Sequence, residues 1–174
     1  MSRTPSTRAR RGQAPAHEMA AQAHTTARPK EFHFPLAVEW LGERRVRARA
    51  EGKPAIEIAT PPVFRGTDPT VWSPEELLVA AAASCLAVTF SDPAARDRLT
   101  YTKLKVNGDG LVGRRADGRF GFTRLLLRLE LETETGQAEQ ARELAERAEA
   151  TCLVSVSLDL PVETVIEVRT RAAS

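Results

Sequence analysis

The longest apolar run in the chain is Leu77-Leu78-Val79-Ala80-Ala81-Ala82-Ala83-Ser84-Cys85-Leu86-Ala87-Val88-Thr89-Phe90. Its apolar residues fall on every side of a helix rather than in one stripe, which predicts a central helix surrounded by protein on most faces. The start is well marked. Ser73 and Glu76 have the spacing of a capping box, Pro74 suits the first helical position, and Trp72 with Leu77 has the spacing of a hydrophobic staple. Ser91-Asp92-Pro93 predicts an interruption, with a short second segment through Arg98.

Alternating patterns predict strands on both sides of this helix. Phe32 to Trp40 is the first, with Pro35 marking a sheet edge, and Gly42-Glu43 reads as a hairpin tip. In Arg44 to Ala50, Val46, Ala48 and Ala50 share one face and Arg45, Arg47 and Arg49 the other, leaving Arg44 on the apolar side. Pro54 to Ala59 is a third strand with Ile56 and Ile58 inward. After the helix, Thr100 to Val106 is a strand and Asn107-Gly108-Asp109-Gly110 carries turn chemistry. A long strand follows in which Leu125, Leu127, Leu129 and Leu131 form one face. Ala138, Ala141, Leu144, Ala145 and Ala148 predict a second, amphipathic helix whose stripe Cys152 continues. Leu153 to Leu158 reads equally as a helical turn or a strand. A last strand places Val162, Thr164, Ile166 and Val168 together. Strands flanking two cysteine-bearing helices give an α+β fold with antiparallel pairing.

A chain of 174 residues with 42% hydrophobic and 28% charged residues is large enough for one domain. We expect that domain to cover residues 31–174, after a disordered basic tail over residues 1–30. The tail holds Arg3, Arg8, Arg10, Arg11, Arg28 and Lys30 against Glu18 alone, so the rest of the chain is net negative. A mildly acidic body predicts no nucleic-acid partner. The apolar run falls short of the roughly 20 residues of a membrane span, so no membrane partner is expected either. Two cysteines do not make a disulfide scaffold, and the composition suits a cytoplasmic protein.

The cysteines nonetheless carry the candidate chemistry. A thiol is nucleophilic as its thiolate, and with an ordinary pKa near 8.5 only about 3% is ionised at pH 7. Cys85 lies about ten residues into its helix, some 15 Å from the start, beyond the reach of the helix dipole. A reactive Cys85 therefore needs a cation from elsewhere. Arg44, inward-facing beside a turn, is the candidate, with Arg45 the substitute if the register slips by one; a strand-end arginine reaching to water is the plainer reading. Glu75 is a further candidate, although a carboxylate in a first helical turn is stabilised by the dipole without any other role. The same 15 Å keeps Glu75 from Cys85 unless a loop or a second chain intervenes. No metal or cofactor is expected: there is no C-x-x-C, the histidines His17, His24 and His33 lie in or beside the tail, and no phosphate-binding glycine motif occurs.

Ser73-Pro74-Glu75-Glu76-Leu77-Leu78 running into Ala82-Ala83-Ser84-Cys85-Leu86, with Cys152-Leu153-Val154-Ser155 late in the chain, resembles the osmotically inducible protein C (OsmC) and organic hydroperoxide resistance (Ohr) family. The resemblance covers about Phe32 to Thr170. It implies antiparallel sheets wrapped around the cysteine-bearing helices in an intertwined homodimer, with active sites at the subunit interface. It implies reduction of organic hydroperoxides, with Cys85 as the peroxidatic cysteine and Cys152 as the resolving one. Arg44 and Glu75 correspond to the family's thiolate-stabilising arginine and acidic residue. A dithiol reductant, a dihydrolipoyl protein in several members, would complete the cycle. This chain departs from the family in having Leu153 rather than proline after the second cysteine, and Arg65 beside Gly66 where paired glycines are usual. Two other functions fit the residues: an apolar interface pocket that binds a hydrophobic small molecule, or a purely structural disulfide worth about 4 kcal/mol.

Overall fold

The computed structural model describes residues 30–171, so the predicted tail, apart from Lys30, lies outside the described residues. Helix α1 spans Pro74–Arg96. The Glu76 amide donates to Ser73 Oγ at 3.1 Å and the Ser73 amide to the Glu76 carboxylate at 2.8 Å, so the capping box forms as its spacing predicts. The expected break at Ser91-Asp92-Pro93 does not occur. Proline removes one backbone hydrogen bond, but Phe90 and Ala94, four residues apart and fully buried, hold the last turns on the core. The resulting 23-residue helix is longer than expected, and by length and composition alone it could cross a membrane, as core helices also could. It buries only Ala82, Leu86, Phe90 and Ala94 completely, and Val88 is 71% exposed. A single chain thus covers one side of a helix whose apolar residues face all sides.

Strands β1 (Ala37–Gly42), β2 (Arg45–Arg49) and β3 (Ile56–Ala59) form an antiparallel sheet in that order. The first strand starts at Ala37 rather than Phe32, after Pro35, and it is an edge strand as the proline predicts. The register aligns Trp40 with Val46 and Ile58, and Val38 with Ala48 and Ile56, which makes one face apolar. On the other face Arg47 pairs with Glu57 at 2.7 Å.

Strands β4 (Tyr101–Arg114), β5 (Phe120–Thr133) and β6 (Val162–Thr170) form the second sheet. No turn forms at Asn107-Gly108-Asp109-Gly110; β4 runs straight through it. The glycines instead admit α1, since a Cβ on Gly108 would lie 2.6 Å from Val79 Cγ1 and one on Gly110 2.6 Å from the Phe122 ring. The predicted leucine face of β5 is the core: Leu125, Leu127, Leu129 and Leu131 are all buried. Between β5 and β6 the chain passes through α2 (Ala138–Thr151) and α3 (Leu153–Val156). That crossover carries it back to the end of the sheet near the start of β5, where Val162 lies opposite Leu125, so β6 pairs parallel to β5, correcting the expectation of antiparallel pairing throughout. Helices α1 and α2 pack on the leucine face with Ala141, Leu144, Ala145 and Ala148 buried between them and the sheet.

The Gly108 contact makes a prediction. Gly108→Ala should lower stability in urea unfolding by about 1–3 kcal/mol, the usual cost of overpacking. Adding Val79→Ala should recover part of that loss, giving a coupling of about 1 kcal/mol.

Candidate active site

Cys85 sits in the middle of α1, half-buried, and Cys152 stands fully buried at the junction where α2 ends and α3 begins. Both are free thiols. Cys152 ends α2 in an extended conformation (φ −63°, ψ 106°), which turns the chain so that the first amides of α3 are left without helical partners. The junction packs against α1, bringing the Cys152 sulfur within 4.0 Å of the Ala82 carbonyl oxygen. The two cysteines, 67 residues apart in the chain, are thereby brought to the same side of the α1–α2 packing, with Cys152 against the turn of α1 that precedes Cys85.

The electrostatics at Cys85 come from neutral groups. Burial pushes its thiol up, but the Val154 amide, the Cys152 thiol, the Thr89 hydroxyl and the Leu153 amide together outweigh burial, and the thiol sits below its ordinary value. Thr89 Oγ1 is 3.9 Å from the sulfur, one helical turn further on. Leu153 supplies one of these amides, which proline at that position would lack. On the far side, Ser155 Oγ donates to the Cys152 sulfur at 3.2 Å. Sequence reasoning missed Thr89, Val154 and Ser155, although four residues after Cys85 and three after Cys152 are the spacings at which a helical turn brings Thr89 and Ser155 to their cysteines.

The other two candidates lie elsewhere in the chain. Arg44 Nη1 donates to the carbonyl oxygens of Phe64 at 2.9 Å and Arg65 at 3.3 Å, fixing the loop after a short 3-10 turn at Pro62–Phe64. Arg45 is held by Glu57 at 3.3 Å and by Asp68. Glu75, in the first turn of α1, faces a groove of about 440 Å³ with Trp72, Val79, Ala83, Val106 and Phe122. Its Oε2 is closed off from solvent without a hydrogen-bond partner, a costly arrangement for a carboxylate oxygen. Among the described residues no cluster of His, Cys, Asp and Glu could hold a metal ion.

A sequence model of the OsmC-like proteins matches residues 66–167, the stretch that contains both cysteines and Glu75. The chain belongs to this family. An uncharacterized protein of Bacillus subtilis (strain 168), YmaD, is 26% identical over 142 residues, covering 79% of this chain and 93% of that one. Among solved structures, an OsmC-like protein of Vibrio cholerae superposes with a TM-score of 0.70 at 22% identity, over 78% of this chain and 99% of that chain. An organic hydroperoxide resistance protein of Elizabethkingia anophelis gives a TM-score of 0.67 at 19% identity, over 83% and 100%. At those identities the structures establish the OsmC-like fold, in which the helices that carry the cysteines pack on a sheet.

The neutral donors at Cys85 set the direction of its pH response. Thiolate reactivity rises as the proton is lost, so a thiol below its ordinary value reaches half-maximal alkylation by iodoacetamide at a lower pH than the same peptide in the unfolded chain. Cys152→Ala removes one donor and should move that midpoint upward, as followed by mass spectrometry of the Cys85 peptide.

Proposed function

We propose that this OsmC-like protein is a thiol peroxidase that reduces organic hydroperoxides, working as a homodimer in the cytoplasm. The observation that carries the reading is the Cys85 thiol, beside the α2–α3 junction that carries the second thiol and held below its ordinary range by the donors there. The description of the Elizabethkingia anophelis relative as an organic hydroperoxide resistance protein favours the same substrate class. The Cys85 thiolate attacks a peroxide oxygen; the O–O bond breaks, the alkoxide takes up a proton and leaves as an alcohol, and Cys85 becomes a sulfenic acid. The Cys152 sulfur then attacks the Cys85 sulfur, the S–O bond breaks, and hydroxide leaves as water with the Cys152 proton. A dithiol reductant, such as a dihydrolipoyl group, reopens the disulfide by exchange.

Dimerisation is supported by apolar surface that one chain leaves open. Val38 and Trp40 on the apolar face of the first sheet are 58% and 72% exposed, and Val88 projects from α1. A second copy covering these faces would shield the exposed apolar residues of the first sheet and Val88 of α1. It would also offer a donor to the unpartnered Glu75 oxygen, and Arg44 of the second copy is our candidate for that guanidinium. A second reading has its own observation: the Glu75 groove, lined by Val79, Ala83, Val106 and Phe122, is of a size and polarity suited to a hydrophobic small molecule.

Cys85→Ser should abolish consumption of cumene hydroperoxide in the presence of dithiothreitol, while Cys152→Ser, assayed without any thiol reductant, should complete one turnover and stop as the sulfenic acid. Undiminished turnover by Cys85→Ser would overturn the peroxidase reading. An apolar molecule retained in native mass spectrometry, with no peroxide consumption by the unaltered protein, would establish the binding reading in its place.

A further inference from the structure

The proposed cycle needs negative charge to pass through a sulfur that has no access to water. Cys152 is 0% exposed, whereas Cys85 is half-buried. An external dithiol therefore reaches the Cys85 sulfur of a Cys85–Cys152 disulfide and not the Cys152 sulfur. The attacking thiolate forms a bond to Cys85, the S–S bond breaks, and the electron pair leaves on Cys152. That thiolate is generated in the same apolar core that holds Ala82, Leu86, Ala145 and Ala148. Burial of an unassisted charge there is costly. The Ala82 carbonyl oxygen at 4.0 Å is itself an acceptor and gives the anion nothing. The group positioned to help is the Ser155 hydroxyl, which donates to the Cys152 sulfur at 3.2 Å.

We propose that Ser155 is a positioning residue that stabilises the buried Cys152 thiolate when the Cys85–Cys152 disulfide opens and, in the closing step, when Cys152 attacks the Cys85 sulfenic acid. The inference rests on the disulfide cycle proposed above. Ser155 lies on α3, three residues past Cys152, so the short helix that presents its amides to Cys85 also fixes a hydroxyl on the other cysteine. Ser155 is partly exposed and borders a surface hollow of about 220 Å³ lined by Glu149, Val156, Leu160 and Val162, whereas Cys152 is wholly buried. In opening, the first thiol of the reductant ends in a mixed disulfide with Cys85. Its second thiol then attacks that bond, loses its proton to solvent and releases Cys85, which takes up a proton from solvent, while the Cys152 thiolate is reprotonated by the Ser155 hydroxyl, which recovers its own proton from solvent. The reductant leaves as its own disulfide, and both cysteines return to thiols.

The test uses the full chain with Ser155→Ala and Ser155→Thr. The disulfide is made with diamide, which oxidises two thiols without a peroxide, and its opening by dithiothreitol is followed by rapid quench with iodoacetamide and mass spectrometry. Ser155→Ala should open about tenfold to hundredfold more slowly than the unaltered protein, the range expected for a lost hydrogen bond to a charged group. Ser155→Thr, which keeps the hydroxyl, should restore the rate, and alkylation of reduced Cys85 should be equal in all three. Equal opening rates, failure of threonine to rescue, or failure of diamide to join the two cysteines would each overturn the proposal. Since the disulfide is made without peroxide, absence of peroxide consumption would count against the proposed function and leave this test intact.

Discussion

The site depends on how closely α2 approaches α1. Ala82 on one helix and Ala141, Ala145 and Ala148 on the other are fully buried in one core. With no side chain larger than a methyl at these positions, the two backbones pack near enough for the end of α2 to place a sulfur against the Ala82 carbonyl of α1. Larger side chains would move the α2–α3 junction away from Cys85. The leucine face of β5 supplies the flat support on which both helices rest. Packing therefore precedes chemistry here: Cys85 is an ordinary core-helix thiol until α2 delivers a thiol and two amides to it.

Those donors bear on the cost of making a thiolate. A guanidinium must itself be desolvated to serve a half-buried sulfur, and an unmatched one is expensive. Amides at the start of a short helix are already fixed and already lack partners, so directing them at a sulfur costs little. In this chain that is how Cys85 is lowered. The reading differs from the expectation of a cation at the thiol, and it assigns α3 a purpose that its four residues would not otherwise suggest. Arg44, by contrast, is spent on the Phe64 and Arg65 carbonyls of its own chain.

Much of this was legible in the sequence where local rules and tertiary packing agree. The capping box at Ser73, the β1–β2 hairpin at Gly42-Glu43, the alternating leucines of β5 and the alanine stripe of α2 each follow from a spacing that one neighbour suffices to satisfy. Legibility failed where a local signal was overruled from a distance. Gly108 and Gly110 look like a turn but serve the close approach of Val79 to β4. Pro93 looks like a helix stop but is overridden by the burial of Phe90 and Ala94. The parallel pairing of β6 depends on α2 and α3 forming a crossover, which no strand pattern encodes. For the site, both cysteines were legible because they are the chain's only ones. The donors around them were not, because an amide has no signature in a sequence and Thr89 and Ser155 are common residues.

Reading Cys85 and Cys152 as one redox pair joins these observations, and it makes a direct demand. When the unaltered protein is treated with one equivalent of cumene hydroperoxide, digested and analysed by mass spectrometry without reduction, the account predicts that the peptides bearing Cys85 and Cys152 are recovered joined, with the loss of two hydrogens. Recovery of both peptides as free, alkylatable thiols, with the hydroperoxide unconsumed, would contradict it.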